Sequence, residues 1–411
     1  MHDPQTFVIV GANLAGGRAA QALRSEGFAG RIVLIGEEPD PPYERPPLSK
    51  EYLRGQMPKE KLFIAERVFY DANNIELRLD VRATRIDVQE RAVELASGER
   101  VSFDKLLIAT GGRPRRIDVP GADLDGVYYL RDIADCEAIA AELREGRRVV
   151  VVGAGFIGAE VAASARVQGL EVTALEIASV PLERAVGADV GQIYAQMHRD
   201  HGVDLRLDEG IARIEGSVRA ERVITTKDNA IDCDFVVVGV GLQPNVEIAD
   251  GSGVEATANG IIVDEFCQTN MPGIFVAGDV ALFYHPLLGE RVRLEHWANA
   301  QNQGRAAALN MLGRREAYAE VPWFWSDQYD VNMQYAGHAS TWDETVVRGS
   351  VGDRKFTVFY LRDGALLGAL AFNRFRDIRH ARELIRARVH ADPAQLRDED
   401  IELRSLLVEG P

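Results

Sequence analysis

The run Gly153-Ala154-Gly155-Phe156-Ile157-Gly158 carries the sharpest chemical signal in the chain. Its spacing is GxGxxG. The first glycine permits a tight turn, the second lets a pyrophosphate approach the main chain, and the third lets helix and strand pack closely. A helix starting there offers free N–H groups and the positive end of its dipole to phosphate. Glu176 follows 21 residues after Gly155, at the end of the next apolar run, where a carboxylate accepts hydrogen bonds from ribose hydroxyls. Together they predict an adenine dinucleotide site, to which Gly153, Gly155, Phe156, Ile157, Gly158, Glu176 and Gly241 are assigned. Glu176 also favours NADH over NADPH. A unit charge on the extra phosphate would be repelled by roughly 4 kcal/mol at ~4 Å and an effective dielectric near ~20, on the order of a thousandfold in binding before solvation weakens it. Arg184 complicates this, since a guanidinium accommodates such a phosphate; its plain alternative is a surface pair with Glu183 or Asp189.

A second turn, Gly11-Ala12-Asn13-Leu14-Ala15-Gly16, departs from the pattern because Asn13 replaces the middle glycine. Glu37, after the next apolar strand, again suits a ribose. Two dinucleotide sites in one chain suggest two dinucleotides: a tightly held FAD and an exchangeable nicotinamide, whose hydride the flavin accepts and then releases as single electrons.

Each turn needs a strand before it and a helix after it, and the hydropathy pattern supplies both. Residues 6–10 and 31–35 read as strands around a helix at 18–27; residues 148–152 and 171–175 read as strands around a helix at 159–169. These are two βαβ units, which imply parallel strands and right-handed crossovers. Shorter apolar strands are expected at 106–110, 235–240 and 274–277, and a proline-rich functional loop at 41–58. Beyond about residue 322 the texture changes to antiparallel strands at 345–347, 355–361 and 365–372, the last two joined at Arg362-Asp363-Gly364, with an arginine-rich helix at 377–389.

Composition narrows the function classes. The 411 residues exceed what one hydrophobic core holds, so two or three domains are expected. A net charge of −16 disfavours nucleic acid and anionic membrane as partners. No apolar run approaches the roughly 18–20 residues of a membrane span, and Met1-His2-Asp3-Pro4 leads into the first strand without a basic, cleavable leader; a cytoplasmic protein is expected. Cys136, Cys233 and Cys267 are far apart, with no CxxC. That argues against a redox-active thiol pair or a cysteine-rich metal site, and no metal is expected.

The chain carries, in order, the first glycine turn, Pro42-Tyr43-Glu44-Arg45-Pro46-Pro47-Leu48-Ser49-Lys50, Ala109-Thr110-Gly111, the second glycine turn, Ala277-Gly278-Asp279 and Trp323-Phe324-Trp325-Ser326-Asp327. Together they resemble the FAD-dependent ferredoxin reductases, including the reductase components of bacterial aromatic-ring dioxygenases. Asn13 is usual in that group. The resemblance implies an α/β, glutathione-reductase-like fold with two Rossmann-like domains: an FAD domain at 1–112 and 242–320, an NADH domain at 113–241, and a C-terminal α+β domain at 321–411. It assigns residues 11–16, Glu37, Arg45, Lys50, Val81, Thr110, Gly111, Arg131, Asp279 and Trp297 to FAD. It pairs Lys50 with Glu160, the cation stabilising reduced flavin and the carboxylate orienting it, and puts Trp325 at the electron exit. The implied reaction is a hydride step from NADH to FAD and two one-electron steps to a 2Fe–2S ferredoxin.

Arg374, Arg376, Arg379, Arg382, Arg386 and Arg388 form a local basic patch in an acidic chain. Arg379, Arg382 and Arg386 share a helix face at i, i+3, i+7 and are expected, with Arg374, to steer an acidic ferredoxin; the alternative is a solvated face with Arg379–Glu383 pairing. Other enzymes of this fold, an NADH oxidase or a rubredoxin reductase, remain alternatives. So does an NADH-responsive flavoprotein similar to apoptosis-inducing factor. Thiol-dependent reductases fit poorly, because the loop 41–50 has no cysteine.

Overall fold

The computed structural model describes residues 5–408. The chain forms two compact units: one of residues 1–45, 59–113 and 242–322, the other of residues 46–58, 114–241 and 323–411.

The first unit is built on a five-stranded parallel sheet ordered Ile274–Val276, Lys105–Ile108, Thr6–Val10, Arg31–Ile35, Ile75–Arg78. Its central strands are apolar along their whole length because both faces are covered: Val8, Ile9, Ile32, Val33, Leu34, Leu106 and Leu107 have no measurable exposure. Each such side chain contributes about 1.5–3 kcal/mol by leaving water. The crossover helix Leu14–Ser25 packs against the helix Trp297–Met311. That contact needs Gly304, since a Cβ there would lie 2.3 Å from the Ala15 carbonyl oxygen.

The second unit repeats the device. Its parallel sheet runs Asp204–Arg206, Glu171–Leu175, Arg148–Val152, Phe235–Val238, Val127–Tyr129, with the helix Phe156–Val167 crossing between Arg148–Val152 and Glu171–Leu175. The same unit holds a five-stranded antiparallel sheet ordered Trp323–Gln328, Val331–Gly337, Ala365–Phe372, Lys355–Arg362, Glu344–Ser350. The hairpin at Asp363-Gly364 is a two-residue turn with φ of +52° and +76°, the left-handed geometry that Asp-Gly favours. The arginine-rich helix spans Phe375–Arg386 and buries Ile378, Ala381, Leu384 and Ile385 at helical spacing.

The first two strands of that sheet have no comparable signal in the sequence. Their connection is Tyr329-Asp330 between paired Gln328 and Val331, and Tyr329 takes φ +55°, which an aromatic residue rarely adopts. Tertiary contacts hold it: its ring stacks on His201 at 3.7 Å and 7°, and its hydroxyl meets His198 Nδ1 at 3.2 Å.

A buried cation anchors the last described segment. Arg348, 5% exposed, donates through Nη1 to the carbonyls of Leu396 and Asp398 and through Nη2 to those of Glu399 and Ile401. Replacing it leaves these acceptors without their donors. Arg348→Leu is therefore expected to cost about 2–4 kcal/mol, visible as a lowered melting temperature and early proteolysis after residue 390; an unchanged melt would refute this role.

Candidate functional site

In the second unit, two of the three glycines of the turn are demanded by the protein's own backbone. Gly153 sits at φ +96°, and a Cβ there would lie 2.4 Å from the Gly239 carbonyl oxygen; a Cβ on Gly158 would lie 2.0 Å from that of Gly153. Gly155 is different, because a Cβ there would meet nothing within 4 Å. Gly155 is also the N-cap of the helix Phe156–Val167, with no side-chain cap, so the first-turn N–H groups keep their donor capacity. The carboxylate of Glu176 is fixed by two main-chain amides, Oε2 accepting from Ala154 N at 2.8 Å and Oε1 from Ala178 N at 3.0 Å. A cavity of about 540 Å³ is lined by Gly153, Gly155, Glu176, Ile177, Thr226 and Gly241 among others. Open space at Gly155, an uncapped helix start and an anchored carboxylate suit an adenine dinucleotide. Ile157 is 47% exposed, and the Phe156 ring meets Phe324 edge-on at 4.8 Å. The side chain of Arg184, in the short helix Glu183–Val186, lies outside the described residues.

The first unit has the same turn with one change. Gly11 takes φ +115° with Ala109 O at 2.1 Å from a would-be Cβ, and Gly16 stands against Gly11 O at 2.0 Å. Asn13 occupies extended backbone at φ −111°, ψ −165°, which needs no glycine. Its amide Nδ2 donates to Ala109 O at 2.5 Å and its Oδ1 accepts from Gly16 N at 3.5 Å. Asn13 thus caps the helix and ties it to the neighbouring strand end. Leu14 and Ala15 are buried beneath the turn, and Ala12 faces Gly36.

The other residues assigned to this dinucleotide fall in the same unit, except Lys50 and Arg131. Thr110 Oγ1 donates to Asn245 O at 2.8 Å, and Asn245 N donates to Gly111 O at 2.9 Å. Val81 N donates to Gly36 O, which fixes it at the sheet end. Asp279 follows Gly278, whose N–H donates to Gln303 Oε1 at 2.9 Å. Trp297 opens its helix, half-buried. Arg45 is held by Glu38 at 2.6 Å, with its guanidinium 5.0 Å from the Tyr43 ring centre. Burial opposes the charge of Arg45, but Tyr43, Glu38 and Asp279 outweigh it and raise its pKa above the usual range. Glu37 is exposed and 3.3 Å from the exposed Arg82; Glu38, which nothing in its type or spacing marks, is the carboxylate that accepts from both Tyr43 and Arg45 of the loop. Arg131 lies in the second unit, its N–H donating to Asp135 Oδ2 at 2.8 Å.

Lys50 and Glu160 meet in the second unit. Nζ lies 2.7 Å from Oε2, with side-chain exposures of only 6% and 4%, and it also donates to Pro46 O at 3.2 Å. Ser49 Oγ donates to the same carboxylate oxygen, and Ser326 Oγ donates to Oε1 at 2.6 Å. Ser49 was visible only as part of a motif, and nothing in its type or spacing marks Ser326. Next to Ser326, Trp325 is half-buried and stacked on Trp323 at 5.3 Å; Arg382 in turn lies over Trp323 at 5.6 Å. Arg379 and Arg386 are exposed. Arg374 is bonded to Asp377 and Glu399. The three cysteines are free and buried. Burial pushes the thiols of Cys136 and Cys233 up to about 12 and raises that of Cys267 as well, so none is poised as a thiolate. No helix among the described residues is long and apolar enough to cross a membrane.

Residues 5–304 match the model of the pyridine nucleotide-disulphide oxidoreductases, and residues 323–407 match a reductase C-terminal model. The chain is 42% identical over 409 residues to the anthranilate 1,2-dioxygenase system ferredoxin–NAD(+) reductase component of Burkholderia cepacia, covering 98% of this chain and 99% of that one. It is 35% identical to putidaredoxin reductase of Pseudomonas putida, covering 99% and 98%. Among solved structures it superimposes on the covalent putidaredoxin reductase–putidaredoxin complex with a TM-score of 0.95, 35% identity and 99% coverage of both chains. It also superimposes on the ferredoxin reductase for the CYP199A2 system of Rhodopseudomonas palustris, with a TM-score of 0.94, 38% identity and coverage of 98% and 99%.

Because the space at Gly155 is empty of protein, Gly155→Val is expected to keep the stability of the fold within about 1 kcal/mol of the original while weakening dinucleotide binding at least tenfold. Isothermal titration with NADH checks this; unchanged affinity would mean that no phosphate approaches this turn.

Proposed function

The chain belongs to the pyridine nucleotide-disulphide oxidoreductase family, and we propose that it is an NADH:ferredoxin reductase that supplies single electrons to a 2Fe–2S ferredoxin feeding an oxygenase. The observation that carries this reading is full-length similarity to a dioxygenase system's ferredoxin–NAD(+) reductase component and to a putidaredoxin reductase. Two dinucleotide turns and the absence of a poised thiol among the described residues agree with it. Bound FAD would accept the hydride of NADH and release electrons singly, which matches a two-electron donor to a one-electron acceptor.

This chain's own residues bind and orient. In the second unit, the N–H groups opening Phe156–Val167 take the NADH pyrophosphate, and Glu176, already turned by two amides, accepts the ribose hydroxyls and repels a 2′-phosphate. In the first unit, residues 11–16 cradle the FAD pyrophosphate, with Glu37, Arg45, Val81, Thr110, Gly111, Asp279 and Trp297; Arg131 is assigned to FAD as well. Lys50 provides a fixed positive charge toward the flavin, and Glu160 holds it in place. Trp325 serves as the electron exit. The domain limits proposed are 1–112 with 242–320 for FAD, 113–241 for NADH and 321–411 for the C-terminal domain. The buried, unreactive thiols fit a cytoplasmic location.

Arg379, Arg382 and Arg386 form the docking face for the ferredoxin. Arg382 lies over Trp323, which stacks on Trp325; these contacts support a docking face near the proposed exit. Arg374, assigned to the same face, also pairs with Asp377 and Glu399. Long-range attraction of this kind sets the encounter rate and is screened by salt.

The purified yellow protein, mixed with NADH and candidate 2Fe–2S ferredoxins, is expected to reduce one of them rapidly, with the rate falling on the order of tenfold between low and high salt. Fast NADH consumption by oxygen alone, with no ferredoxin reduced, would overturn the reading.

A further inference from the structure

Strand geometry sends neighbouring side chains to opposite faces. On Trp323–Gln328 this turns Trp325 outward and Ser326 inward, where it is 1% exposed. A buried hydroxyl needs partners, and those of Ser326 are specific. Its oxygen accepts from Gln328 Nε2 at 3.0 Å, so its single proton is committed to Glu160 Oε1 at 2.6 Å. The other oxygen of Glu160 takes Lys50 and Ser49. The carboxylate is thereby gripped from the loop 46–58 on one oxygen and from the antiparallel sheet on the other.

A buried file stands behind Ser326. Gln328 Nε2 also donates to the Tyr194 hydroxyl, the Tyr194 ring lies 5.3 Å from that of His198, and His198 Nδ1 meets the hydroxyl of Tyr329. Burial pushes His198 down to about 4, so this file adds no charge near Glu160 at neutral pH. Its far end is the turn at Tyr329, clamped by the stack on His201. Ser326 therefore stands on a supported scaffold, as a positioning group requires.

We infer that Ser326 is a positioning residue for the Lys50–Glu160 pair and tunes the positive charge that Lys50 offers to bound flavin; this rests on the role proposed above for Lys50. Each hydroxyl that donates to Glu160 draws negative charge away from Lys50. Without Ser326 the carboxylate neutralises the ammonium group more completely, and less positive charge remains to stabilise added electrons.

The test is a spectroscopic redox titration of the FAD-loaded full-length protein, with a thermal melt and an NADH binding isotherm alongside. Ser326→Ala is expected to shift the equilibrium for flavin reduction about tenfold toward the oxidised form, about 30 mV for a two-electron couple, with NADH affinity unchanged. Ser326→Thr restores the original potential. Ser326→Cys keeps the branching with a slightly larger atom, weakens the donor and gives a smaller shift in the same direction; it carries the test if the alanine variant does not fold. Lys50→Met gives a larger shift of the same sign. If Lys50→Met moves the potential and the Ala and Cys variants change only the melting temperature, Ser326 is packing and the inference fails alone. If Lys50→Met moves nothing, the inference and the role proposed for Lys50 fail together.

Discussion

A lysine ammonium group and a glutamate carboxylate, both almost wholly removed from water, lie 2.7 Å apart in the second unit. Burying either alone costs several kcal/mol, and breaking such a pair by removing one partner typically costs about 3–5 kcal/mol. The fold meets that cost by bringing three distant stretches of sequence to one place. The loop 46–58 delivers Lys50 and Ser49, the helix Phe156–Val167 delivers Glu160, and the strand Trp323–Gln328 delivers Ser326. Ser164, on the same helix as Glu160, donates to Ser49 O and accepts from Arg54, which fixes the loop on the helix. Residues 46–58 pack with residues 114–241 and 323–411 for this reason.

The helix that carries Glu160 also presents its N-terminus at Gly155. One element thus serves two tasks: its first turn faces the dinucleotide cavity, and its second holds the ion pair. The two glycine turns show how a shared backbone solution tolerates different chemistry at its middle position. Gly11 and Gly153, like Gly16 and Gly158, are fixed by carbonyl oxygens 2.0–2.4 Å from where a Cβ would stand. The middle position has no such constraint in either turn, so Asn13 caps its helix while Gly155 leaves its helix open.

Much of this was legible from residue types and spacing. Both βαβ units follow from apolar runs that end in glycine turns, because strands buried on two faces must be apolar throughout. The Asp363-Gly364 hairpin follows from the backbone angles those residues favour. The strands Trp323–Gln328 and Val331–Gly337 were hidden because their turn uses Tyr329, held at positive φ by contacts with His198 and His201 more than a hundred positions earlier. Ser326 and Glu38 were hidden for a similar reason. A serine in a strand and a glutamate in a loop carry no local mark of the long-range partner that gives them a role. Arg374 shows the converse: six arginines in a short stretch read as one patch, yet Asp377 and Glu399 bind one of them into the fold.

The central claim is that Lys50 and Glu160 act as one buried unit, and a double-mutant cycle measures that directly. Stabilities of the flavin-loaded protein would be compared for Lys50→Met, Glu160→Gln and the two combined. A coupled pair predicts that the combined variant loses less than the sum of the single losses, by about 1–3 kcal/mol, because neither partner is left as a lone buried charge. Additive losses would show that each side chain is stabilised independently, and would contradict the account.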